Sequence, residues 1–167
     1  MWKKIDIKDL DFNPFTLIGD EWALLTGGTE SSFNTMTVSW GHLGVIWGTP
    51  SAVAYVRTNR HTLSYLENNE YYTISFFDKE YKDALSFCGS HSGRDCDKVK
   101  ETGLTPVVIE NAVAFEEAKL VFVCRKQYAA MLDENGFTDK AVKEKCYSET
   151  NPLHKQFIGE IVSVYSK

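Results

Sequence analysis

The sequence predicts a mostly β fold, an antiparallel sheet closed into a barrel or stacked as a sandwich, with a few short helices at its ends or seams. Three observations carry this. Many short segments alternate apolar and polar residues with a period of two. No rhythm of strand followed by long helix, the mark of a parallel α/β sheet, is present. The third is the strongly apolar run Tyr71–Phe77, YYTISFF, which favours a closed barrel because closure leaves no such strand exposed at an edge.

Taken in order, residues 1–20 are apolar islands broken by Asp11, Asn13 and Pro14, and read as an arm laid over one domain spanning 1–167. Glu21 to Thr26 reads as the first firm strand, ended by Gly27 and Gly28. Asn34 to Trp40 alternates Asn34, Met36, Val38 and Trp40 with Thr35, Thr37 and Ser39, a strand with one hydroxyl-lined face that is either wet or occupied. The segment GHLGVIWGTP is rich in turn residues, and Ala52 to Arg57 supplies the next strand. Thr58 or Asn59 can cap a helix reaching about Asn68, with Leu63 and Leu66 facing inward.

After the apolar strand, Tyr81 to Phe87 adds a helical turn or two, and Ser92 or Asp95 caps a helix that carries Val99 and stops at Gly103. Pro106–Ile109 and Ala112–Phe115 are short strands, and Lys119 to Tyr128 is a longer one. An insert around Asp133–Gly136 leads to a short amphipathic helix, Thr138 to Lys145. Phe157 to Tyr165 closes the chain as a strand.

At 167 residues, 43% hydrophobic and 13% aromatic, the chain can build a core without metal or disulfide staples. A net charge of -5 with dispersed basic residues argues against nucleic-acid binding. The N-terminal residues lack a secretory signal and no run is long enough to span a bilayer, so a cytoplasmic protein without membrane contact is expected. Cys88, Cys96, Cys124 and Cys146 lack zinc-like spacing and read as reduced thiols, with a Cys88–Cys96 pair as the alternative. Motifs of dinucleotide folds, P-loops, esterase elbows and zincins are missing, and His42, His61, His91 and His154 are too scattered for a metal site.

Two regions are dense in residues that can bind. Arg57, Arg60 and the helix start that follows could meet an anion, with His61 and Thr62 adding hydrogen bonds. Thr35, Thr37 and Ser39 could touch the polar edge of a planar ligand that Trp40 or Trp47 covers, although large aromatics more often fill interiors. The loop GSHSGRDCDKVKETG brings Ser92, Arg94 and Lys98 together, a second place for an anion.

Five stretches then become specific in combination: NTMTVSWG at 34–41, the W-x-x-P step of Trp47 and Pro50, VRTNRHT at 56–62, SGRDCDK at 92–98 and HKQFIGEI at 154–161. Together they resemble the flavin-reductase-like, FMN-binding split-barrel family, in particular its flavoredoxin-like branch, over about Trp22 to Val164. The resemblance implies a Greek-key split β-barrel with a few short peripheral helices, and a homodimer with FMN at the interface. It implies Thr35, Met36, Thr37, Ser39 and Trp40 along the flavin, and Arg57, His61 and Thr62 at the phosphate and ribityl tail, with Ser92, Arg94 and Lys98 nearby. His154 is implied as the catalytic candidate on the flavin or nicotinamide side. Thr58-Asn59 stands where many relatives have a proline after the first arginine, and Val99 where DKF is common.

The activity implied is hydride transfer from NADH or NADPH to FMN, with electrons passed to free flavin, a partner protein or a small molecule. The alternatives are a non-enzymatic FMN-binding electron carrier and an interaction barrel without cofactor, while a pyridoxamine-phosphate oxidase fits the SGRDCDK and HKQFIGEI segments less well.

Overall fold

The computed structural model describes residues 2–167. The chain begins with β1 (Lys3–Ile5) and reaches α1 (Pro14–Thr16), where Asn13 accepts the Phe15 amide and Pro14 takes the first helical position. The hairpin of β2 (Ala23–Thr29) and β3 (Ser32–Val38) follows, then that of β4 (Gly41–Ile46) and β5 (Thr49–Arg57). Next come α2 (Thr62–Asn68), β6 (Tyr71–Phe76), α3 (Lys82–Ser90) and α4 (Lys98–Thr102). The hairpin of β7 (Pro106–Ile109) and β8 (Ala112–Phe115) precedes the long β9 (Leu120–Met131), and α5 (Lys140–Cys146) separates it from β10 (His154–Ser166).

The main sheet is antiparallel in the order β3-β2-β6-β9-β10-β5-β4, with β1 beside the far end of β10. Its two outermost strands, β3 and β4, are joined in sequence by Ser39 and Trp40 alone. Two residues reach only about 10 Å even when extended. The sheet must therefore curl until its edges meet, which makes a Greek-key split barrel whose seam carries Ser39 and Trp40.

Both faces of the sheet are covered, so its central strands are buried nearly throughout. Leu25, Phe122 and Cys124 point into the barrel core with Phe76, Phe157 and Ile161, while Leu24, Val121 and Val123 pack outward against Leu85, Cys88, Leu104 and Phe115. Neighbouring residues of one strand thus serve two cores. Among the described residues no helix is long and apolar enough to cross a membrane.

Several boundaries differ from the sequence reading, each for a physical reason. Gly27 and Gly28 do not end β2. A Cβ on Gly27 would lie 3.2 Å from the Leu66 amide nitrogen, and one on Gly28 (φ +117°) 2.3 Å from the Ser32 carbonyl, so the glycines let α2 and β3 come close. The turn-rich GHLGVIWGTP is a hairpin, with Trp47 (φ 53°) and Gly48 (φ 75°) both left-handed at its tip, as a two-residue turn demands.

Neither Thr58 nor Asn59 caps α2. Arg60 instead closes a turn on the Arg57 carbonyl, and the helix begins at Thr62. The cap of α4 is Asp97, which accepts the Val99 and Lys100 amides, rather than Ser92 or Asp95. Gly103 stops α4 as expected, in the left-handed conformation (φ 70°). Residues 1–20 are more than a covering arm, because β1 extends the sheet. All four cysteines are free, Cys88 and Cys96 included.

Candidate functional site

Where β3 gives way to β4, the chain opens a cavity of about 220 Å³ lined by Met36, Thr37, Ser39, Trp40, Tyr55, Arg57, Arg60 and His154. The sheet register explains the grouping. His154 pairs with Arg57 across β10 and β5, and Tyr55 stands two residues from Arg57 on the same face of β5. Through Ser39, Trp40 and Tyr55 the cavity continues into an apolar groove of about 560 Å³, walled by Phe15 and Ile18 on one side and Leu132 and Tyr147 on the other. Through Met36 and Arg60 it reaches a smaller space of about 50 Å³ among His61, Gly89, His91, Ser92 and Gly93. A trough therefore runs from a cationic, hydroxyl-bearing loop to an aromatic and apolar end.

The expected residues take three kinds of position. Met36, Thr37, Ser39, Trp40, Arg57 and His154 converge on the central cavity, and His61, Thr62, Ser92 and Lys98 on the loop end. Trp40 and Trp47 are not core residues. They are 48% and 59% exposed, because the seam and the hairpin tip lie outside both cores. Arg94 is exposed, and its guanidinium donates to the Asn59 carbonyl (3.3 Å), which joins the two loops at the cationic end.

Thr35, Thr62 and Lys98 are buried and bonded within the protein. The Thr35 hydroxyl is bonded to Thr26 (2.9 Å), and Thr62 accepts from the Asn34 amide (2.7 Å). Lys98 Nζ donates to the carbonyls of Cys88 (2.7 Å) and Thr35 (2.9 Å). The hydroxyl face of β3 is accordingly neither wet nor wholly available to a ligand. Helix α3 covers it, and the Thr37 hydroxyl donates to the Leu85 carbonyl. Thr62 and Lys98 also line the small space at the loop end, while Thr35 lines none of the trough.

Arg57 also has a task within the protein. Its Nη1 donates to the carbonyls of Pro152 (3.0 Å), Cys146 (3.2 Å) and Asn151 (3.3 Å), and its guanidinium lies 5.2 Å from the Tyr147 ring and 5.8 Å from that of Trp40. It pins the insert between β9 and β10 against the seam. Tyr55 and Tyr147 are lining residues that sequence reasoning missed. Tyr55 could have been found from its two-residue spacing to Arg57, whereas nothing local to Tyr147 signals its place.

His154 is 6% exposed. Burial first, then the charges of Arg57 and Arg60, lowers its pKa from 6.5 to about 4, so its imidazole is neutral near pH 7. Burial with Arg94 and Lys98 nearby lowers His61 as well. Between these two values for His154 the unfolded chain binds a proton that the native chain does not, so stability falls as pH drops from about 6.5 towards 4. The slope approaches at most about 1.4 kcal/mol per pH unit. Urea unfolding across this range should show a shallower slope for His154→Gln than for the wild type, and equal slopes would refute the assignment.

The comparisons agree with this architecture. Residues 18–167 match the model of the family described as flavin reductase like domain. A comparison with curated proteins finds no match. Among solved structures, the flavoredoxin of Methanosarcina acetivorans is 22% identical with a TM-score of 0.69, covering 99% of this chain and 76% of that one. The flavoredoxin of Desulfovibrio vulgaris (Miyazaki F) is 22% identical with a TM-score of 0.68, covering 87% of this chain and 69% of that one. An FMN-binding protein from Thermus thermophilus is 20% identical with a TM-score of 0.67, over 87% of this chain and 71% of that one. Identities this low speak to the fold, and it is the family model, matching all but the N-terminal segment, that shows the chain to belong to the flavin reductase like family.

Proposed function

We propose that this chain is an FMN-binding oxidoreductase that takes a hydride from NADH or NADPH and passes electrons to free flavin, a protein or a small-molecule acceptor. Family membership supports a redox role in general. The observation that carries the fuller reading is the continuous trough, cationic at one end and aromatic at the other, which suits a phosphate-bearing planar ligand.

The residues present fit that cofactor. Arg60 and Ser92 offer charge and a hydroxyl to a phosphate, with Arg94 beside them on the Asn59 carbonyl, and the loop carrying Ser92 and Arg94 sits tight on β3, where a Cβ on Gly93 would lie 2.0 Å from Asn34 Oδ1. Thr37 and Ser39 line the middle. Trp40, half exposed at the seam, offers a face to an aromatic ring, and Phe15 and Ile18 help keep the adjoining groove apolar. Bound FMN would supply the hydride-accepting chemistry, leaving the chain to bind, orient and exclude water.

Homodimerisation belongs to the same proposal. Val45, Ile46, Trp47, Tyr128 and Met131 are exposed apolar residues on the β4–β5 tip and β9, close to the apolar end of the trough. Covering them with a second copy would close that end of the site, within a domain spanning 1–167.

Titration with FMN should give a saturable complex with perturbed flavin absorption, and anaerobic NADH or NADPH should bleach it. Bands that persist with both nucleotides would turn the reading to an electron carrier. Failure to bind FMN would sink the cofactor assignment.

A further inference from the structure

The first residue of β10 is a histidine, and the insert before that strand returns a tyrosine to it. Tyr147 Oη lies 2.8 Å from His154 Nδ1, with the two rings nearly perpendicular at 78°. A phenol can donate or accept here, and so can a neutral imidazole nitrogen. The unprotonated imidazole nitrogen is the more basic of the two acceptors, and burial raises Tyr147 above its ordinary pKa of 10.0, so the phenol keeps its proton. Tyr147 then donates to Nδ1, and the ring proton of His154 resides on Nε2.

The surroundings hold this arrangement in place. Trp40 and Tyr55 flank the imidazole with ring centres 5.3 and 6.2 Å away. Arg57, fastened to three carbonyls of the insert, lies across the Tyr147 ring. The charged groups facing His154 are Arg57 at the end of β5 and Arg60 in the following turn, and both oppose an imidazolium. The titratable hydroxyls are those of Tyr147 and Tyr55, the latter bonded to His42 Nδ1 (3.3 Å). His154 Nε2 has no partner among the described residues. Among them only Tyr72 Oη and Ser75 Oγ are buried side-chain polar atoms without one, so Nε2 retains access to the cavity that His154 lines.

We propose that Tyr147 is a positioning residue that locks His154 as the Nε2–H tautomer, so that His154 meets a ligand in the seam as a hydrogen-bond donor rather than as a proton-accepting base. The atom it serves is an acceptor oxygen, a carbonyl or a phosphate oxygen. Only the naming of that ligand as FMN or nicotinamide rests on the function proposed above.

Long-range proton–nitrogen correlation spectra of the ¹⁵N-labelled protein near neutral pH read the tautomer directly, without ligand or turnover. The wild type should show His154 protonated at Nε2 alone, and a proton on Nδ1 or a doubly protonated ring would overturn the proposal. Tyr147→Phe, with a native amide spectrum, should give a tautomer mixture and bind FMN about fivefold more weakly, the cost of one lost hydrogen bond. His154→Gln, which returns an amide N–H near the Nε2 position, should bind within about threefold of the wild type. A Tyr147→Phe variant with an unchanged tautomer would refute the lock. If the wild type fails to bind FMN, the cofactor reading falls while the wild-type spectrum still decides the tautomer.

Discussion

Gly159→Ala is expected to destabilise the protein by about 3 kcal/mol, the upper part of the range for overpacking a full interior. A Cβ at this position would lie 2.3 Å from Tyr72 Oη, 2.9 Å from Cζ and 3.0 Å from Cε1. Tyr72 has nowhere to go. It is 1% exposed within the barrel core, and its strand, β6, is held between β2 and β9. The pairing of β10 with β9 also shifts register between Ile158 and Gly159, so the backbone is already bent at the point of contact. Chemical unfolding of Gly159→Ala should show the loss in full, and the double variant Gly159→Ala with Tyr72→Phe should recover part of it, since the phenylalanine lacks the nearest atom. A single variant within about 0.5 kcal/mol of the wild type would show that Tyr72 does not depend on the glycine.

Lys98→Met is expected to cost a similar amount, about 3 kcal/mol, even without ligand. Lys98 is 7% exposed, and its ammonium holds the carbonyls of Thr35 and Cys88. Strand β3 is an edge of the hydrogen-bonded sheet, so the Thr35 carbonyl lacks a neighbouring strand to donate to it, and Lys98 takes that place. Methionine keeps most of the volume but strips the Cys88 carbonyl of this donor and leaves the Thr35 carbonyl only the longer bond from Asn34 Nδ2 (3.4 Å), at about 1–3 kcal/mol for a buried carbonyl left unpaired. Because the same lysine ties α3 and α4 to β3, the loop at the cationic end of the trough should loosen and FMN binding should weaken as a secondary effect. Thermal unfolding of the ligand-free protein separates the two roles. If Lys98 served a ligand alone, the variant would melt with the wild type and only its affinity would fall.

These two positions also show what could be read in the chain and what could not. Gly159 and Lys98 both lie in the stretches that carry the family resemblance, yet the sequence offered no reason for the glycine and suggested a ligand contact for the lysine. The reasons are long-range: Tyr72 lies far from Gly159 in the chain, and Thr35 lies 63 residues from Lys98. Strands β6, β7 and β8 were legible almost to the residue because alternation and apolar runs are local properties. The hairpin at Trp47-Gly48 was not, since its glycine-rich sequence reads as loop until pairing with β5 supplies the hydrogen bonds. Likewise the hydroxyls of Thr35 and Thr37 are visible as a stripe on a strand, but whether water, a ligand or a helix faces them depends on what packs there.

By itself, then, the sequence determined the β-rich fold class, the order of most elements, the family and the group of residues from which a site could be made. Periodicity, turn chemistry and short motifs are carried by neighbouring residues, and they survive without knowledge of the fold. Tertiary structure alone decided that Ser39 and Trp40 lie at the seam, that Thr35, Thr62 and Lys98 are bonded into the interior, and that Tyr55 and Tyr147 join the site. Those assignments follow from closure of the sheet, which brings β3, β5, β10 and the insert together, and a contact between distant segments exists only once that closure is made.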